Sequence, residues 1–139
     1  MKGILVMENQ GDIKALVVEK DQTVVESIEL VLKEKSYIVT SSSNEDEALG
    51  LLRKTPYPLA IVGDTKGTSS TFEIMRKIVM TSPMTSIILI SDLPTKEVDE
   101  RAEGYGILGH VNRSIPSKDL TLLIEHFEKI SQSIHLPKT

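Results

Sequence analysis

The chain has 139 residues, with 40% apolar and 26% charged residues. That length and balance describe one globular domain able to bury a core without covalent staples. Cysteine is absent, which excludes disulfides, thiolate metal sites and a cysteine nucleophile, and the net charge of -4 argues against a general nucleic-acid binder. Apolar runs such as Ile87-Ile88-Leu89-Ile90 are too short to span a bilayer, and residues 1–12 do not read as a signal peptide. A cytoplasmic domain is the expectation.

Short apolar runs alternate with segments of helical spacing along the whole chain. Residues 1–12 stand apart as an N-terminal extension that resembles the following segment only loosely. The first run, Ile13 to Val18, leads to Asp21, placed to cap a helix carrying Val24, Ile28, Val31 and Leu32 on one face. The second run, Tyr37 to Val39, precedes a helix starting near Ser43, with Glu45, Asp46 and Glu47 at its positive end. Leu59 to Val62 form the third run. Ser70-Thr71-Phe72-Glu73 then has capping-box spacing and opens a helix with Met75, Ile78 and Val79. Ile87 to Ile90 is the fourth run, followed by a weak helix from Thr95 to Glu103 with only Val98 and Ala102 as its stripe. Ile107 to Val111 is the fifth. A last helix from about Ser117 shows Leu120, Leu123, Ile124, Phe127 and Ile130.

Five strand–helix units in series predict an α/β fold, a five-stranded parallel sheet with helices on both faces. The first, third and fourth runs are nearly all apolar, so they belong inside the sheet, and the mixed second and fifth belong at its edges. Right-handed crossovers then give the strand order 2-1-3-4-5. The domain is expected over residues 13–131, with a tail at 132–139.

Ligands of such sheets bind at the carboxyl ends of the strands. Those ends carry Glu19, Lys20 and Asp21, then Gly63, Asp64 and Thr65, then Ser91 and Asp92, then Asn112 and Arg113. Each also has a plain structural reading. Asp64 is either a reactive carboxylate or a cap of the following turn, and Ser91 either contacts a ligand or caps the turn at Asp92-Leu93-Pro94. His110 reads as an edge-strand histidine, and His126 and His135 as solvated.

The set Leu16-Val17-Val18-Glu19-Lys20-Asp21, Leu59-Ala60-Ile61-Val62-Gly63-Asp64, Ile87-Ile88-Leu89-Ile90-Ser91 and Gly109-His110-Val111-Asn112-Arg113 resembles response-regulator receiver domains, the CheY-like, flavodoxin-like modules of two-component signalling. The spacings from Glu19 to Asp64 and from Ser91 to Arg113 agree with that family's layout. The resemblance implies a phosphoacceptor at Asp64, phosphate contacts from Ser91 and Arg113, and a switch position at His110. It also implies an acidic pocket at Glu19, Lys20 and Asp21, with Mg²⁺ held by Glu19 and Asp64.

The pocket departs from the pattern. Lys20 stands where a second acid belongs, Arg113 where a lysine belongs, and Ser114 where a proline follows. The Lys20 charge beside a divalent site predicts weak Mg²⁺ binding and impaired phosphorylation, with Lys20 free to pair with Asp64 instead. Glu19 then reads as an ion-pair partner of Lys20 or Arg113 before a metal ligand. The resulting expectation is a non-enzymatic protein-interaction module, either stand-alone or excised from a longer protein. Its partners would be a histidine kinase or another signalling protein, with a homodimer through helix 4, strand 5 and helix 5, and no nucleic acid or membrane. A different class, a flavodoxin-like binder of a nucleotide or flavin phosphate at Gly67-Thr68-Ser69-Ser70-Thr71, is the alternative. With aromatics at 4%, few residues are available to stack on a flavin.

Overall fold

The computed structural model describes residues 13–114 and 116–135. The expected N-terminal extension and the last four residues of the tail lie outside the described residues. The elements run β1 (Lys14–Val18), α1 (Gln22–Glu34), β2 (Ile38–Ser42), α2 (Glu45–Lys54), β3 (Leu59–Val62), α3 (Thr71–Thr81), β4 (Ser86–Ile90), α4 (Thr95–Arg101), β5 (Gly109–Val111) and α5 (Pro116–His135). All strand pairs are parallel, in the order β2-β1-β3-β4-β5. The architecture is therefore the one expected from the sequence.

The two faces of the sheet follow from the two-residue alternation of strands. Ala15, Val17, Ile61 and Ile88 turn to the side covered by α1 and α5, through Ile28, Leu32, Leu120 and Ile124. Leu16, Val18, Ala60, Val62 and Leu89 turn to the side covered by α2, α3 and α4, through Leu52, Met75, Ile78 and Val98. Strands β1 and β3 are buried on both sides, which explains their uninterrupted apolar runs.

Helix starts follow local hydrogen-bonding chemistry. Asp21 accepts from the Thr23 and Val24 amides, and Ser70 and Glu73 form a reciprocal capping box. Asn44, rather than Ser43, caps α2 by accepting from Glu47 N–H at 2.8 Å. Helix α4 begins after Pro94 with no side-chain cap and buries only Val98 within its seven residues.

Some boundaries differ from expectation. β2 starts and ends later than its apolar run, because β1 pairs along its whole length with Ile38 to Ser42, its last three residues facing Thr40, Ser41 and Ser42. β5 is three residues, with Ile107 and Leu108 serving as its approach. Ile130 is 38% exposed and does not continue the buried stripe of α5. The last helix runs on to His135, past the expected domain end.

Tyr37 ties this frame together from the other end: its phenol donates to Glu128 Oε2 on α5 at 2.9 Å. Burial, then the hydrogen bond and charge of Glu128, push its ionisation well above the ordinary tyrosine range. The unfolded chain ionises at about pH 10 while the folded chain stays neutral, so stability is full below that pH and falls above it. The Tyr37→Phe variant should show a flatter loss of urea midpoint between pH 9.5 and 11, as order-of-magnitude bounds around the free tyrosine value of about 10. An unchanged slope would rule out this assignment.

Candidate functional site

Four loops meet at the carboxyl end of the sheet. Glu19 leaves β1 with its side chain fully buried. Its Oε1 accepts from the Asp64 amide at 3.0 Å, and its Oε2 accepts from the Asp21 amide at 2.9 Å and from Arg113 Nη1 at 2.5 Å. The second guanidinium nitrogen of Arg113 donates to Asp64 Oδ2 at 3.1 Å. Thr71, at the first turn of α3, donates its hydroxyl to Asp64 Oδ1 at 2.8 Å. Asp92 completes the set by accepting from the Arg113 amide at 3.0 Å.

Glu19 fits because of Gly63. A Cβ at Gly63 would lie 2.0 Å from Glu19 Oε1 and 3.2 Å from Ile90 Cβ. The missing side chain is the space that the longer carboxylate fills. A buried acid of this kind persists only when charge and hydrogen bonds offset its desolvation. Two backbone amides and one arginine do so here.

Burial alone would lower the pKa of Arg113, and it is the largest single influence on that group. The hydrogen bond and charge of Glu19, with the charges of Asp64 and Asp92, together outweigh it and hold the guanidinium above its ordinary value. The arginine is therefore a permanent cation in this cluster.

The residues singled out in the sequence separate into two groups. Glu19, Asp64 and Arg113 form one ion cluster. Lys20 is exposed; its amide donates to the Asp64 carbonyl at 2.8 Å, but among the described residues its ammonium has no ion-pair partner. The expected Lys20–Asp64 pairing is thus replaced by Arg113–Asp64, since Lys20 sits outside and the guanidinium lies between both acids. Asp21 points its carboxylate at the α1 amides and not into the pocket. Ser91 Oγ accepts from the Leu93 amide at 3.1 Å, the turn-capping arrangement. His110 on β5 pairs in register with Leu89 on β4, and its buried Nδ1 has no hydrogen-bond partner among the described residues.

Three contributors stood in the sequence reading without a role in this cluster: Gly63 and Asp92 as strand-end residues, and Thr71 as part of a helix start. Gly63 directly precedes Asp64, and a glycine at a strand end beside an acid signals a close approach. Thr71 was hidden behind its role beside the Ser70 cap, and Asp92 behind its position in a turn.

An open pocket of about 330 Å³ lies in front of the cluster, bounded by Asp64, Thr71, Phe72, Ser91, Arg101 and Arg113. Arg101 stands over the Phe72 ring at 5.5 Å from its centroid. In the loop after β3, the Lys66 amide is bonded to the Ser43 carbonyl and the Ser70 amide to Glu73, so these donors are not free to cradle a phosphate.

The residues present do not fit a divalent cation. Mg²⁺ demands near-octahedral oxygen ligands. Glu19 spends three of its roughly four acceptor sites on protein donors, and both oxygens of Asp64 are engaged. Among the described residues no group of three His, Asp or Glu stands together as a metal cage.

No family model matches the chain. The cell cycle response regulator CtrA of Brucella ovis is 23% identical over 107 residues, covering 77% of this chain and 46% of that protein. The chain thus spans about half the length of the curated relatives it matches. A CheY-like response regulator receiver domain protein from Methanospirillum hungatei JF-1 superposes with a TM-score of 0.75 at 17% identity, covering 87% of this chain and 98% of the other. A response regulator protein from Burkholderia pseudomallei, solved with a phosphorylated aspartic acid, a calcium ion and citrate, superposes with a TM-score of 0.69 at 17% identity, covering 92% and 76%. The fold is that of CheY-like receiver domains. No helix among the described residues is long and apolar enough to cross a membrane.

Proposed function

We propose that this chain, which has the receiver fold and resembles response regulators in sequence, is a signalling module that recognises protein partners and is impaired in Mg²⁺-dependent phosphorylation. The observation that carries the reading is the Arg113 guanidinium bonded at once to Glu19 and Asp64. In a receiver, the carboxylate at the Asp64 position takes a phosphoryl group while a metal neutralises the developing charge. Here a protein cation already neutralises that carboxylate, and an added Lys20 charge opposes a metal beside it.

In this reading Asp64 is the phosphoacceptor position, and Ser91 and Arg113 are the phosphate-contact positions. The reaction expected of them is slow. Partners of the receiver kind, a histidine kinase or another signalling protein, suit an end of the sheet built from four polar loops. The face of α4, β5 and α5 is the surface for partners or a second copy of this chain. Helix α4 buries Val98, with Ala102 buried at its C-terminal cap, which leaves much of it available. The module acts in the cytoplasm, where such kinases present their phosphohistidines, and carries no catalytic turnover of its own.

Titration of the isotopically labelled chain with phosphohistidine domains of candidate kinases tests this reading. Saturable amide shifts around Asp64 and along α4–β5–α5, equal in EDTA and in Mg²⁺, are expected. Binding that appears only with Mg²⁺ and a phosphoryl donor would sink it.

A further inference from the structure

Arg113 touches more than its two acids. Its guanidinium reaches the β1–α1 loop through Glu19 and the β3–α3 loop through Asp64, while its own amide is held by Asp92 in the β4–α4 loop. It stands at the end of β5. One residue therefore ties together the four loops on which the carboxyl end of the sheet is built. The tie is internally completed: Glu19 Oε1 fixes the Asp64 amide, the Lys20 amide fixes the Asp64 carbonyl, and Thr71 fixes the remaining Asp64 oxygen. Next to Asp92, Ser91 caps the turn that leads into α4, and α4 has no side-chain cap of its own.

We infer that Arg113 is a resident ionic tie that holds these four loops, and through Asp92 the start of α4, in one standing arrangement that requires neither metal nor phosphoryl group. The inference rests on the receiver reading for its consequence: the partner-binding end is organised permanently and is not switched on. Three features of the chain make the tie specific. Gly63 leaves the room in which Glu19 lies beneath Asp64. The planar guanidinium bridges two carboxylates at once, which a point ammonium does less well. With its side chain only 20% exposed, Arg113 is partly shielded from salt.

Amide hydrogen exchange of the full chain tests the tie. In the unmodified chain, the amides of Asp21, Asp64, Leu93, Val98 and Ala102 should exchange at the same rates in EDTA and in Mg²⁺. Arg113→Gln should speed all five together by about tenfold or more, as expected when a local opening loses its main restraint. Arg113→Lys should recover only part of the protection. Asp64→Asn, which removes one arm on a half-exposed group and leaves the Glu19 arm intact, should give an intermediate effect even if Arg113→Gln disturbs the fold as a whole. Acceleration confined to Asp21 and Asp64, with Leu93, Val98 and Ala102 unmoved, would overturn the four-loop tie. Mg²⁺-dependent protection in the unmodified chain would instead overturn the metal-independent reading on which its consequence depends.

Discussion

The Glu19→Ala variant is expected to lose about 3 kcal/mol of folding stability, the lower end of what breaking a buried ion pair costs. The loss has three parts. Arg113 keeps Asp64 but loses its buried partner, the Asp21 and Asp64 amides lose their acceptor, and the space over Gly63 is left empty. Glu19→Gln keeps the volume and one acceptor oxygen, and should lose only about half as much, in line with a charged hydrogen bond of about 1.5–3 kcal/mol. Gly63→Ala should be costly beside Glu19 and much less so in the Glu19→Ala background, because its severe clash is with the Glu19 carboxylate and only the tight 3.2 Å approach to Ile90 Cβ remains. Urea unfolding of the four combinations gives the coupling directly. A Glu19→Ala loss below about 0.5 kcal/mol, the scale of an ordinary surface change, would contradict the buried cluster.

The second large effect is a gain. Replacing Lys20 by Asp and Arg113 by Lys in one chain should raise Mg²⁺ affinity by at least about 100-fold. A unit charge about 4 Å from another contributes on the order of 4 kcal/mol at an effective dielectric of 20, twice that against a divalent ion, before solvent and flexibility reduce it. Two such changes act together: the cation at position 20 becomes an acid, and the planar fork that occupies both carboxylates becomes a single ammonium. Lys20→Asp alone should recover less, because Arg113 still holds Asp64. If the single and double variants bind Mg²⁺ no better than the original chain, the cation cluster is not what excludes the metal.

Much of the fold was readable before any coordinates. The all-apolar runs Leu59–Val62 and Ile87–Ile90 could only be strands buried on two faces, and the mixed runs around Val39 and His110 marked the edges. The capping box at Ser70 and Glu73 placed the start of α3 to the residue. Boundaries were less legible where pairing overrode composition: β2 takes in Thr40, Ser41 and Ser42 because β1 offers them backbone partners. The site was half legible. Strand-end logic collected Glu19, Asp64, Ser91 and Arg113, and the resemblance implied that Lys20 and Arg113 depart from the family pattern. Which cation would take Asp64 was not legible, because that depends on whether Lys20 turns outward and whether Gly63 admits Glu19. Both are three-dimensional facts about a few ångströms. The same holds for Thr71 and Asp92, whose hydroxyl and carboxylate have ordinary capping duties in any sequence reading.

An amide NMR titration of the unmodified chain with Mg²⁺, then with beryllofluoride, measures whether the Arg113 cluster keeps the metal out. Asp64→Ala serves as the control. The expected result is no saturable shift at Asp64, Ser91 or Arg113 up to about 10 mM Mg²⁺, far above where an intact acidic site with several carboxylate ligands would fill. Saturable shifts at those residues that vanish in the Asp64→Ala control would contradict it, and would mean that Arg113 yields its place to the metal.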